Sequence, residues 1–128
     1  LGVYKKMSIV KDLAPSIVRQ RLLIEALYRR PNISQENVEQ FLIELPAKLN
    51  LRIYSPPVVY SPGGQGKQEN QGYDGFVALI DSGISIYVWE NKKFLSVVVY
   101  TCKQFDVEAA LQLTRDYFTV THLEHMSF

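Results

Sequence analysis

Hydrophobic positions along this chain recur with two different periods. From Ser34 to Asn50, the residues Val38, Phe41, Leu42, Leu45 and Leu49 fall at helical spacing and predict an amphipathic helix. Ser34 suits the N-cap, where its hydroxyl accepts from an unpaired first-turn N–H, and Glu36 lies near the positive end of the helix dipole. Pro46 is expected to kink this helix or end its regular part early, since it lacks an N–H and crowds the turn before it. A second helix is predicted from Val107 to about Phe118, with Asp106 as N-cap and Ala110, Leu111, Tyr117 and Phe118 available for packing.

Elsewhere the pattern shortens to the period of a strand. Gly75 to Ile80, Ile84 to Trp89 and Phe94 to Thr101 are β-branched and aromatic, and the separators Asp81-Ser82-Gly83 and Glu90-Asn91-Lys92-Lys93 are short. Connections that short make successive strands antiparallel. Alternation places Ser85, Tyr87 and Trp89 on one face and Ile84, Ile86 and Val88 on the other. Leu51 to Tyr54 alternates as a strand that Pro56-Pro57 ends or bends, and Val120 to Met126 alternates weakly, as an edge strand does. Ser16 to Tyr28 fits a helix by its Leu, Ala, Glu and Arg content, and a buried strand by its short apolar run. These elements predict an α+β two-layer sandwich, an antiparallel sheet with two main helices packed on one face. One domain over residues 16–128 follows a lead-in tail at residues 1–15; a chain starting at Leu1 is not expected to carry its native N-terminus.

Composition narrows the class of protein. With 128 residues, 14 Lys+Arg, 13 Asp+Glu and a net charge of +1, the chain has no electrostatic footprint for nucleic acid or anionic lipid. No apolar run approaches the roughly 20 residues that span a bilayer, and no signal segment is seen, so a cytoplasmic protein is expected. The single cysteine, Cys102, fits a reducing compartment, and two late histidines, His122 and His125, argue against a histidine metal site. The glycine-rich stretch Gly63-Gly64-Gln65-Gly66-Lys67 lacks the Gly-Lys-Ser/Thr that leads into a helix, so a hairpin connection is expected there, not a phosphate cradle.

Three features carry candidate chemistry. Asp81-Ser82-Gly83 is ordinary turn material, since glycine tolerates positive φ and Asp and Ser bond nearby backbone. Cys102, just past a strand, reads as a small buried hydrophobe; a nucleophile there would need a base. The Ser85, Tyr87 and Trp89 face presents hydroxyls and an indole, as a binding sheet or any amphipathic sheet does.

The gapless block from Asp74 to Cys102 resembles the central motif of prokaryotic S-adenosylmethionine decarboxylases. That motif reads Glu-Ser-His, then an Ile-Ser-Ile-His-Thr-Trp-Pro-Glu strand, then Asp-Val-Phe-Thr-Cys. Here the corresponding runs are Asp81-Ser82-Gly83, Ile84 to Asn91, and Val98-Val99-Tyr100-Thr101-Cys102. Arg21 to Tyr28 resembles the family's first strand, which settles the ambiguous segment as β. The resemblance implies a pyruvoyl enzyme of the type that serves polyamine (spermidine) biosynthesis. Ser82 would attack the carbonyl of Asp81, the chain would cleave between them, and Ser82 would become a pyruvoyl group that takes up the substrate's amine. Cys102 would return a proton to the α-carbon. The resemblance further implies a homodimer with a small amino acid or S-adenosylmethionine-like ligand.

The departures cluster on proton-handling positions. The histidine after the cleavage serine is Gly83, the strand histidine is Tyr87, and the processing serine is Asp74. In the first strand the usual acid is Ala26, with Glu25 shifted onto the opposite face. Two readings follow. One is a self-processing decarboxylase of altered substrate, such as ornithine or arginine, whose cation Asp74 could pair with. The alternative is an inactive paralogue acting as a regulatory or ligand-binding subunit.

Overall fold

The structure, a computed structural model, describes residues 10–61 and 71–128. Among these residues, six strands form one antiparallel sheet: β1 (Gln20–Tyr28), β2 (Val58–Tyr60), β3 (Gly72–Leu79), β4 (Ser82–Trp89), β5 (Phe94–Thr101) and β6 (Val120–Ser127). Their spatial order is β2-β3-β4-β5-β1-β6, so β1 threads between β5 and β6. Two helices, α1 (Gln35–Lys48) and α2 (Val107–Phe118), cover one face of the sheet. This is the α+β sandwich that the hydrophobic pattern predicts.

Alternation decides which side chains reach the helices. Leu22, Ile24, Ala26 and Tyr28 of β1, Ile84, Ile86 and Val88 of β4, and Leu95, Val97 and Val99 of β5 are buried beneath them. Val38, Phe41, Leu42 and Leu45 of α1 fill the facing side, joined by Ala110, Leu111 and Phe118 of α2. Phe41 and Phe118 pack as tilted rings with centroids 4.9 Å apart between the helices, and Tyr117 donates its hydroxyl to the Asn37 carbonyl at 2.6 Å. Gly75 lets α1 approach β3 closely, since a Cβ there would come within 2.9 Å of Leu42 Cδ1.

Both helix starts form as expected. Ser34 and Asn37 make a reciprocal capping box, and Asp106 accepts from the N–H groups of Glu108 and Ala109. Pro46 departs from expectation: α1 runs on to Lys48, because Pro46 sits in the last turn, where little helix remains to be disrupted. Leu51 to Tyr54 also departs, making a single bridge from Ile53 to Leu79 in place of a strand. The short strand after the proline pair, β2, was not foreseen; three residues offer too little alternation to detect. The Gly63 to Lys67 segment lies outside the described residues.

Candidate active site

The site grows from one end of the sheet, where β3 turns into β4, β5 finishes and β1 begins. Leu79 pairs with Ser82, so the tight turn is Ile80-Asp81, and Ser82 and Gly83 are already strand. The residue with unusual backbone is Ser82, at φ 134°, a region that glycine favours and other residues enter under strain. A Cβ at Gly83 would lie 2.6 Å from the tip of the exposed Phe76 ring, which would have to swing aside.

Ser82 pairs with Thr101 on β5, which brings the next residue, Cys102, to the same corner. The Cys102 N–H donates to the Asp81 carbonyl at 3.0 Å, and Ser82 Oγ lies 3.8 Å from Cys102 Sγ. Cys102 is exposed, correcting its reading as a buried hydrophobe: it follows the buried Thr101, so strand alternation turns its side chain away from the core. The segment beyond it is tied back to β1, with the Gln20 side chain donating to the Phe105 carbonyl at 2.9 Å and accepting the Phe105 N–H at 2.9 Å. Thr101 Oγ1 accepts the Lys103 N–H at 3.1 Å. Gln20 is a positioning residue that the sequence does not reveal, because its partner lies 85 positions away.

Asp74 and Tyr87 are brought together elsewhere. They pair across β3 and β4 in the middle of the helix-free face and line a shallow cavity of about 220 Å³ with Tyr60 and Phe76. Tyr87 is five residues along β4 from Ser82, a distance of roughly 17 Å at strand spacing. Within one chain, the four residues expected to form a site therefore make two separate pairs.

The register shows that the second pair belongs to a longer row. Tyr60, Asp74, Tyr87, Ser96, Glu25 and Glu124 lie side by side across all six strands on the helix-free face. Ser96 donates to Glu25 Oε2 at 3.1 Å. Ala26, at the family's usual acidic position, is buried beneath the helices, while Glu25 faces the open side. The sequence marks Glu25 only through its alternation; that Ser96 and Glu124 flank it follows from the insertion of β1 between β5 and β6.

The structure is an open antiparallel sheet under two helices, with Ser82 and Cys102 meeting at its end where Ser82 has a positive φ. The family profile described as S-adenosylmethionine decarboxylase matches residues 20–128, and the chain belongs to that family. The fold is similar to the crystal structure of the adenosylmethionine decarboxylase from Aquifex aeolicus VF5, with a TM-score of 0.70 and 20% identity over 88% of this chain and 89% of that one. No curated protein matched the sequence.

Proposed function

We propose that this chain cleaves itself between Asp81 and Ser82 and acts as a pyruvoyl-dependent decarboxylase on an amino acid or S-adenosylmethionine-like substrate, within polyamine metabolism. The observation that carries the reading is the Cys102 N–H held at 3.0 Å on the Asp81 carbonyl, next to a Ser82 strained at φ 134°. Ser82 Oγ attacks that carbonyl carbon, and the oxyanion that forms sits where the Cys102 N–H already donates. The C–N bond then breaks to leave an ester, and cleavage relieves the backbone strain at Ser82. Loss of the Ser82 α-proton expels the Asp81 carboxylate, and water replaces the released nitrogen as ammonia.

The residues present suit the resulting group. A pyruvoyl carbonyl supplies the electron sink for decarboxylation, as cofactors do elsewhere. Cys102 Sγ, 3.8 Å from the residue that would bear it, is placed to return a proton to the substrate carbon. An arrangement containing Asp74 and Tyr87 as well needs a second chain, because about 17 Å separates them from Ser82. A two-fold axis lying between the pairs, with the helix-free faces opposed, would bring one protomer's Asp74 and Tyr87 to its partner's Ser82. The open face supports that homodimer, since Leu27, Val58, Phe76, Tyr87 and Met126 are all exposed on it.

Intact mass spectrometry after incubation near neutral pH tests the proposal: two fragments that split before Ser82 support it. The replacement of proton-handling residues by Asp74 and Tyr87 favours one second reading, an uncleaved ligand-binding or regulatory paralogue. A chain that stays whole would decide for that alternative.

A further inference from the structure

Beside the Ser82 corner, the helix-free face carries more positive charge than the rest of the site uses. Arg21 pairs across β1 and β5 with Tyr100, and Tyr100 pairs with Gly83. One step beyond the Gln20–Thr101 pair, Arg19 lies level with Cys102, close enough for the two to interact electrostatically. Both arginines, with Lys11 and Tyr100, line a cavity of about 230 Å³. The Arg21 guanidinium rests over the Phe128 ring at 5.3 Å, and its buried Nε finds no hydrogen-bond partner among the described residues. Three cations thus surround a space into which a single acid, Asp12, reaches.

Asp12 reaches into this cavity. Its carboxylate Oδ1 pairs with Arg19 Nη2 and accepts the Ala14 N–H at 2.9 Å. The Ala14 N–H and Arg19 together hold the Asp12 carboxyl below the usual carboxylate range, so it remains an anion in mildly acidic conditions. The strap that delivers Asp12 is otherwise loosely attached. Val10 and Leu13 are 83% and 88% exposed, and Arg19 Nη1 donates to the Ala14 carbonyl at a long 3.4 Å. A contact between charged groups with so little apolar burial behind it is readily exchanged for an equivalent one.

We propose that Arg19 and Arg21 form a binding site for a small carboxylate ligand, which the chain's own Asp12 holds closed. Guanidinium forks match carboxylates geometrically, and the Arg21 side chain lines the same cavity as Arg19 without an ion pair of its own among the described residues. The carboxylate bound here is one that the ligand keeps: guanidinium charge stabilises the ionised form and so opposes its departure as neutral carbon dioxide. S-adenosylmethionine, ornithine and arginine each carry only the carboxylate that leaves, so the occupant is a separate ligand and the site does not rest on the decarboxylase reading.

Calorimetric titration of the full chain with succinate, and separately with inorganic phosphate, tests the assignment. Asp12→Asn is expected to bind succinate about threefold to fivefold more tightly than the parent, the scale of an exposed ion pair. Adding Arg19→Gln or Arg21→Lys to Asp12→Asn is expected to weaken that binding about tenfold, as loss of a bidentate contact does. Unchanged affinity in Asp12→Asn, succinate binding that survives the arginine changes, or tighter binding of phosphate than of succinate would each overturn it. The Asp12→Asn comparison stands even if an arginine variant folds poorly. Cleavage at Ser82 does not enter the measurement, so a chain that stays whole yet binds succinate loses the decarboxylase reading and keeps the site.

Discussion

At the scale of the residue, Ser82 combines two demands that ordinary turns keep apart. The turn geometry asks for glycine at φ 134°, and the chemistry asks for a hydroxyl. Ser82→Gly is therefore expected to exceed Ser82→Ala in unfolding free energy by about 1 kcal/mol, read from urea midpoints, while both remain uncut. Equal stability of the two variants would show that the site stores no strain. Ser82 and Cys102 were legible as a pair only through the resemblance of the Asp74 to Cys102 block, since the residues alone read as a turn and a buried hydrophobe, and a glycine, not the serine, was expected to take the positive φ. Backbone strain is imposed by the β3–β4 register, and no local preference announces it.

Tyr28 shows a second residue-level conflict. Its hydroxyl is buried beneath the helices without a hydrogen-bond partner among the described residues, and burial, then the negative charge of Glu90, pushes its pKa up to about 12. The fold thus favours the neutral phenol. The unfolded chain ionises from its ordinary value near 10, so stability holds below that pH and falls as pH rises from about 10 towards 12. Tyr28→Phe should flatten part of that alkaline loss, because it removes one proton whose release favours unfolding. It should also stabilise the protein at pH 7 by about 1 kcal/mol, because it removes an unsatisfied hydroxyl. Denaturant midpoints measured from pH 7 to 11 check both; a parallel pH profile in the variant would contradict this account.

At the scale of the element, long amphipathic segments were the most legible. β5 and α2 lie where the alternation and helical spacing put them, because each has a full apolar face and a clear start. β1 was not legible from propensity, since Leu, Glu and Arg also suit helices; its place between two strands overrides that preference. Asp106 accepts from two N–H groups at the start of α2, so Asp106→Ala is expected to lower stability by about 1 kcal/mol. Phe41→Ala removes a fully buried ring that contacts Phe118 and Tyr117 and is expected to lower it by about 3–5 kcal/mol. Chemical denaturation distinguishes the two, and a Phe41→Ala loss no larger than the cap's would mean that the helix layer is loosely packed.

At the scale of the whole molecule, the unpartnered sheet face is the dominant feature. It carries a row of hydroxyls and carboxylates between apolar residues, and it separates Asp74 and Tyr87 from Ser82 and Cys102. The row could not be read from the sequence, because it depends on which strands become neighbours and not on any local pattern. If the face closes against a second copy, sedimentation at micromolar concentration should give about twice the 14.7 kDa of one chain. Tyr87→Arg, a charge placed in the middle of that face, should shift the species to monomer without unfolding it. A parent protein that sediments as a monomer would contradict the dimer.

If the Asp81–Ser82 bond is built to break, denaturing mass spectrometry of the purified chain after incubation near neutral pH will give two fragments, residues 1–81 and residues 82–128, the second beginning with a pyruvoyl group, and Ser82→Ala will yield neither. A single intact species of 14.7 kDa from the parent chain would contradict it.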